Sequence, residues 1–467
     1  MANSRVVSRD PVTGTEVYVC QALDAAEVAA AVARAVAIAP LWAATELTVR
    51  SAVLSRFADL LDAGKAELTE LIVAEVGKRY EDARGEVEWT ALSARWYAEH
   101  PPVDETVDGV AVQRVPLGVI AVITPWNVPL VTPAWKWLPA LMAGNTVLWK
   151  PSELASAIAA RATELLGAAG LPDDVLQFVP GGADTAVALC ADARVVGVHF
   201  TGSTQTGRAI NALVAPRFAR VALEMGGINH AIVFPDADLD QAAEAIVASA
   251  TALAGQKCTA VRRVLVHSQV AAVLVDRLVE QIEALVPGAP SDPATTLGPL
   301  ITRSACQRAE EAVRSAQQQG ARIAARSPTL SSAGTSSSAG SFFAATLLVG
   351  VADTDSLAVE EVFAPILTLA EFTDSEDVWE RAGASGYGLS AAVYTRDPDV
   401  AAAAQQRVSV GVLALNRRSD AVGLEAPFGG RGLSGNGFPE GGMYAYGAVT
   451  DTVAVYGLDT LGPKASL

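Results

Sequence analysis

The chain has 467 residues, 51% hydrophobic and 18% charged, and its 34 Lys and Arg against 51 Asp and Glu give a net charge of −17. That length exceeds what one hydrophobic core serves and predicts two domains or more. So acidic a balance argues against a nucleic-acid surface or an anionic membrane as partner. Cys20, Cys190, Cys258 and Cys306 lie far apart without metal-ligand spacing, so no disulfide framework and no metal site is expected, and a reducing cytoplasm fits best.

The opening Met1-Ala2-Asn3-Ser4-Arg5 leads into no apolar signal core. No stretch approaches the roughly 18 uninterrupted apolar residues of a membrane helix; the nearest, residues 128–149, is interrupted by Lys136, Asn145 and three prolines. Residues 24–99 carry helical periodicity, clearest in the alanine-rich stretches 25–37 and 49–63. The pattern then changes to short apolar β-type runs. Residues 119–123 end at Thr124-Pro125-Trp126-Asn127, 146–149 at Lys150-Pro151-Ser152-Glu153, 176–179 at Pro180-Gly181-Gly182, and 195–200 at Thr201-Gly202-Ser203. Strand, polar turn, helix, strand is the rhythm of a parallel sheet covered on both faces, and ligands of such sheets bind beyond the carboxyl ends of the strands. A second alternating region runs from about 231 to about 430, with a Ser/Gly-rich surface loop at 327–341. The last alternating run, 448–456, reads as a strand that pairs with residues 110–114, with another subunit, or as an ordinary edge.

The chemistry concentrates in the turns. Cys258 lies among small residues in Gly255-Gln256-Lys257-Cys258-Thr259-Ala260, where a substrate carbonyl has room to approach and Lys257 supplies a nearby positive charge for a thiolate. Glu224 in Glu224-Met225-Gly226-Gly227 is a candidate base for activating water. The turn from Gly202 through Ser203 to Gly207 follows a strand and opens a helix, a phosphate-binding context. A carboxylate at Glu153 accepts hydrogen bonds from a ribose diol and repels the extra phosphate of NADP, with Lys150 beside it. Asn127 can donate to an oxygen gaining charge, and Glu361 can grip a ribose while Phe363 packs near a ring. Each has a plainer reading. A lone cysteine is commonly an inert core residue, the Lys150 turn a solvated helix start with Pro151 in its first turn, Asn127 a turn former, and Glu361 a surface acid.

Taken jointly, Thr124-Pro125-Trp126-Asn127, Lys150-Pro151-Ser152-Glu153, Phe200-Thr201-Gly202-Ser203, Glu224-Met225-Gly226-Gly227, Gly255-Gln256-Lys257-Cys258, Glu361-Val362-Phe363-Ala364-Pro365 and Pro427-Phe428-Gly429-Gly430 resemble the aldehyde dehydrogenase superfamily over nearly the whole chain. The resemblance implies an α/β fold: a Rossmann-like NAD(P)-binding domain (1–97 and 117–226), an α/β catalytic domain (227–433), and a small β oligomerisation extension (98–116 and 434–467) that builds homodimers or homotetramers. It implies Cys258 as nucleophile, Glu224 as general base, and Asn127 with the Cys258 N–H as oxyanion hole. Thr124, Pro125, Trp126, Lys150, Ser152, Glu153, Gly181, Gly202, Ser203, Gly207, Glu361 and Phe363 are then expected to contact NAD, with NADP tolerated.

By motif distance, Val128, Trp135, Lys257, Thr259, Arg417 and Arg418 line the aldehyde tunnel. Trp135 suits a hydrophobic or aromatic aldehyde, whereas Arg417 or Arg418 suits the carboxylate of a semialdehyde. Glu224 favours hydrolysis to a free acid over transfer to coenzyme A, the branch that typically lacks this glutamate. A non-catalytic binding or structural protein retaining the fold is the competing class. The sequence departs from the family pattern at Ala364, where glycine is usual before Pro365, at Ala345, where proline often stands, and before Tyr387-Gly388-Leu389, where an asparagine is missing. These departures bear on loop geometry and cofactor grip, not on the reacting groups.

Overall fold

A strand buried along its whole length is stable only inside a sheet that is itself covered on both faces. Val119–Thr124 and Thr146–Pro151 are of this kind, buried along their whole length. A computed structural model of the chain, describing residues 5–330 and 340–457, places them at the centre of an all-parallel five-stranded sheet. The strand order is Leu176–Phe178, Thr146–Pro151, Val119–Thr124, Gly197–Gly202, Arg220–Met225. The chain builds outward from Val119–Thr124 first one way, then the other, which opens a crevice at that strand's carboxyl end.

Helices cover both faces. Ala25–Ala43 starts at Asp24 with a reciprocal capping box to Glu27 and turns Val28, Ala31, Val32 and Ala35 onto the sheet. By length and composition alone this helix is apolar enough to cross a membrane. It, rather than residues 128–149, is therefore the nearest to a membrane segment, contrary to the sequence expectation; 128–149 divides between the helix Val131–Ala143 and a strand. On the opposite face Leu47–Ala63, Lys65–Val76, Tyr80–Glu99 and Val131–Ala143 enclose a core in which Phe57 and Trp149 both contact Trp137. The predicted helical region thus resolves into four helices. It is preceded by an antiparallel strand pair, Arg5–Arg9 with Glu16–Gln21, that the sequence reading did not anticipate.

The second sheet has seven strands in the order Arg322–Arg326, Thr346–Val349, Ile366–Phe372, Val261–His267, Asn229–Val233, Ser390–Tyr394, Val412–Leu415, parallel except at the Arg322–Arg326 edge. Residues 331–339, most of the expected Ser/Gly-rich loop, lie outside the described residues. Only Gly226-Gly227-Ile228 separates the last strand of the first sheet from Asn229–Val233. The carboxyl edge of one sheet therefore adjoins the amino edge of the other, and Glu224, Cys258 and Glu361 all fall at that junction. A third, antiparallel sheet joins Glu105–Val107, Val110–Pro116 and Thr450–Val455, with Thr450 opposite Pro116 and Val455 opposite Ala111. The final strand therefore pairs within its own chain, one of the arrangements expected from its sequence.

One buried acid fixes the turn that carries Glu153. Glu75 accepts the amide N–H of Ala157 (2.6 Å) and Ile158 (3.0 Å) at the start of the helix Ser156–Ala168. Glu75→Ala would leave those amides buried without an acceptor, a cost of about 1–3 kcal/mol, so its urea midpoint should fall; an unchanged midpoint would contradict this role. Burial also pushes the Glu75 carboxyl from its ordinary value of 4.5 up to about 7, against the pull of the amides. The folded state then holds the proton more tightly, so this group's contribution is full below 4.5 and declines as pH rises to about 7. Glu75→Gln should flatten that slope.

Candidate active site

The loop bearing Cys258 is bent by three successive left-handed residues. Leu253, Ala254 and Gly255 have φ of 51°, 55° and 72° at the end of the helix Leu239–Thr251. Such φ costs a non-glycine residue about 1–2 kcal/mol, so Leu253 and Ala254 are held there by surrounding structure. At Gly255 a Cβ would collide with the backbone of Ala364 and Pro365, which excludes any side chain. Beyond the bend the backbone is tied down. Gln256 donates to Leu253 O (3.0 Å) and Pro299 O (3.2 Å) and accepts from Ile301 N (2.8 Å), while Asn229 Nδ2 donates to the carbonyls of Cys258 (2.7 Å) and Ala260 (2.8 Å).

Cys258 opens from this loop into a cavity of about 760 Å³ that Glu224 also lines. Burial pushes the Cys258 thiol up to about 12; the Lys257 ammonium pulls it down, and the carboxylates of Glu361, Glu224 and Glu440 push it further up. Glu224 is buried near the end of Arg220–Met225, and its Oε2 accepts the Gly430 N–H at 3.0 Å. Its carboxyl is raised well above the ordinary range, first by burial and then by Glu440, with Lys136 opposing. Lys136 and Glu440 form a buried ion pair. Sequence reading passed over both, treating Lys136 only as an interruption of an apolar segment. The available signal was a lone lysine on a helix otherwise buried at nearly every position, where an unpaired charge is untenable.

Of the predicted tunnel residues, Val128, Trp135, Lys257, Thr259 and Arg418 line the cavity. Arg417 does not; it is exposed, and its carbonyl accepts the Tyr394 hydroxyl at 3.1 Å. Trp135 meets Phe428 edge-on at 5.9 Å and donates its indole N–H to Ser93 (3.0 Å), leaving its ring for apolar contact. Lys257 and Arg418 converge on one carboxylate, Asp420, at 2.8 Å and 2.7 Å. Asn127 lies outside this cavity wall. It is buried, and its Nδ2 donates to Gln256 O (2.9 Å), two residues before Cys258, which leaves one amide hydrogen uncommitted by that bond.

With this geometry in view, residues 1–455 match the model of the aldehyde dehydrogenase family. The chain belongs to that family. It is 36% identical over 415 residues to the 3-sulfolactaldehyde dehydrogenase of Priestia megaterium, covering 86% of this chain and 84% of the relative. It is 37% identical over 410 residues to the NADP/NAD-dependent aldehyde dehydrogenase PuuC of Escherichia coli, covering 85% and 80%. The solved NAD+ complex of an aldehyde dehydrogenase from Bacillus cereus superposes with a TM-score of 0.92 at 30% identity, covering 97% of this chain and 93% of that one.

The positions expected to hold the dehydrogenase's cofactor fall into two groups. Along the carboxyl edge of the five-stranded sheet, the buried Lys150 ammonium bonds to Pro151 O (2.9 Å), a single acceptor for three N–H groups. The carboxylate of the exposed Glu153 faces Gly182, and Gly181 packs on Thr185. Ser152 Oγ caps the turn by accepting from Leu154 N (3.3 Å). Ser203 caps the helix Thr204–Val214 by accepting from Thr206 N (3.3 Å), and Gly202 precedes it at the strand end. Gly207 lets that helix settle on Met225, beside Glu224. Thr124 is committed internally, accepting from Trp149 Nε1 at 2.9 Å. The second group gathers at the sheet junction: Trp126, after Pro125, meets Phe363 edge-on at 6.0 Å, and Glu361 packs over Gly226.

A thiol held so high reacts slowly at neutral pH. Alkylation of Cys258 by iodoacetamide, followed on its own peptide by mass spectrometry, should rise about tenfold per pH unit from about pH 7 to about pH 10, because the thiolate is the reacting form. Lys257→Met should slow it further. A plateau near pH 8 would contradict the burial argument.

Proposed function

We propose that this dehydrogenase oxidises a hydrophobic or aromatic aldehyde to its carboxylic acid through an acyl group carried on Cys258. The supporting observation is that Cys258 and Glu224 open into one cavity whose walls include Trp89, Val128, Trp135 and Phe428. The Cys258 thiolate adds to the carbonyl carbon, and the displaced electron pair goes to the oxygen. The uncommitted Asn127 amide hydrogen and the Cys258 N–H stabilise that oxyanion, a type of contact worth about 10² to 10³ in rate. A bound nicotinamide dinucleotide would supply the hydride acceptor that oxidation of this adduct to the thioester requires. Glu224 then takes a proton from water, whose oxygen adds to the acyl carbon, and the C–S bond breaks to release the acid and the thiolate. Glu440 and Lys136 set the affinity of Glu224 for that proton, in opposite senses.

The residues present fit the dinucleotide. Lys150 keeps donors for ribose hydroxyls, Ser203 opens a helix suited to phosphate, and the exposed Glu153 favours NAD over NADP by charge repulsion, with Lys150 and Ser152 able to tolerate the latter. Residues 1–97 with 117–226 serve as the cofactor domain and 227–433 as the catalytic domain. The three-stranded sheet, with Val107, Val453 and Tyr456 exposed, supports a homodimer or homotetramer contact. The scattered free cysteines support a cytoplasmic setting.

A semialdehyde is the second reading. Lys257 and Arg418 place two cations against the single Asp420 carboxylate in the cavity wall, and a relative from Sphingopyxis alaskensis is named N-succinylglutamate 5-semialdehyde dehydrogenase. NADH and NADPH formation should be followed across a panel of aromatic, aliphatic and carboxylated aldehydes with each cofactor. The first reading predicts the highest kcat/KM for an aromatic or long-chain aldehyde with NAD. Preference for carboxylated aldehydes would favour the second, and no turnover of any would favour a non-catalytic protein.

A further inference from the structure

Arg262, four residues beyond Cys258 on the strand Val261–His267, is a buried cation that neither the motifs nor the proposed chemistry uses. Its side chain reaches three acceptors on two separate segments. Nη1 donates to Ala364 O at 3.0 Å, and Nη2 to Lys257 O at 3.2 Å and to Glu361 Oε1 at 3.3 Å. The guanidinium also lies 5.6 Å from the centre of the Phe363 ring. Lys257 directly precedes Cys258, so one planar group links the cysteine loop to the Glu361–Ala364 turn.

Both ends of this bracket are held in ways that make its position consequential. Phe363 has a left-handed φ of 57°, a conformation that surrounding contacts must maintain. The Glu361 carboxylate packs so closely over Gly226 that a Cβ there would collide with it. The 3.3 Å bond to Arg262 is single rather than the two-point fork of which a guanidinium is capable, and with the Gly227 N–H as its further donor the Glu361 carboxylate still has capacity left for another. Arg262 Nε is buried without a hydrogen-bond partner.

We infer that Arg262 is a positioning residue that couples engagement of the cofactor by Glu361 and Phe363 to the placement of the Cys258 loop. This rests on the reading of Glu361 as a ribose ligand. When a ribose hydroxyl takes up Glu361, the carboxylate's share in Arg262 weakens, and the guanidinium settles on the Lys257 and Ala364 carbonyls. The cysteine loop thereby responds to an occupied cofactor site without touching the cofactor. Arginine is required because no other side chain offers donors in a rigid fork to three acceptors.

The test compares wild-type protein, Arg262→Met, Arg262→Lys and Glu361→Gln. NAD affinity is measured by calorimetry, and the iodoacetamide alkylation rate of the Cys258 peptide is measured without NAD and with saturating NAD. For the wild type, NAD should change the Cys258 rate by about fivefold or more, in either direction. Arg262→Met, still binding NAD, should bring that ratio close to one, and Arg262→Lys, which keeps the charge but loses the fork, should fall between. Glu361→Gln should weaken NAD binding and also shrink the ratio. A wild-type ratio retained in Arg262→Met, or a wild-type ratio of one, overturns the coupling while leaving the ribose reading intact if Glu361→Gln still binds NAD weakly. NAD affinity unchanged in Glu361→Gln overturns the ribose reading and the coupling with it. If Arg262→Met fails to fold, Arg262→Lys decides: a wild-type ratio there counts against the fork.

Discussion

The proposed chemistry depends on a conflict between burial and ionisation at Cys258. The Cys258 thiol is half-buried at the junction of two sheets, and that burial, with Glu224, Glu361 and Glu440 nearby, opposes formation of the thiolate. Lys257 pulls the other way. The neighbourhood balances rather than adds its charges: Lys136 lies against Glu440, Arg262 against Glu361, and Lys257 against Asp420. A change at any one pair alters the field at the sulfur.

The fold makes this possible by adjoining the carboxyl edge of a five-stranded parallel sheet to the amino edge of a seven-stranded sheet. Parallel strands end in turns on a common edge, so Trp126, Lys150, Ser203 and Glu224 are delivered there from four separate strands. The second sheet contributes Cys258 and Glu361 from the loops that enter its strands. Rigid strands therefore supply placement, while left-handed residues at Leu253, Ala254 and Phe363 bend the loops that carry Cys258 and Glu361.

Much of this was legible because the chemistry sits in short turns next to apolar runs, and composition marks both. The strand-turn-helix context of Gly202, Ser203 and Gly207 follows from local pattern, the last strand's pairing near residues 110–114 was one of three arrangements left open, and the association of Cys258 with Glu224 came from the motifs taken jointly. What was not legible depends on contacts distant in the chain. Lys136 meets Glu440 across 304 residues, and Arg262 meets Glu361 across 99, and in neither case does the local sequence mark which residue is the partner. Arg417 and Arg418 are adjacent in sequence and both exposed, yet only Arg418 lines the cavity and pairs with Asp420. The short strand pair at residues 5–21 is largely exposed, so hydrophobic patterning could not announce it.

The central claim is a covalent acyl group on one sulfur, and it is tested most directly by trapping that group. Glu224→Gln protein mixed with NAD and an aldehyde turned over by the wild type, then quenched in acid, should carry the acyl mass on the Cys258 peptide. An acyl mass found on another residue, or none on Cys258 although NADH has formed in stoichiometric amount, would contradict the account.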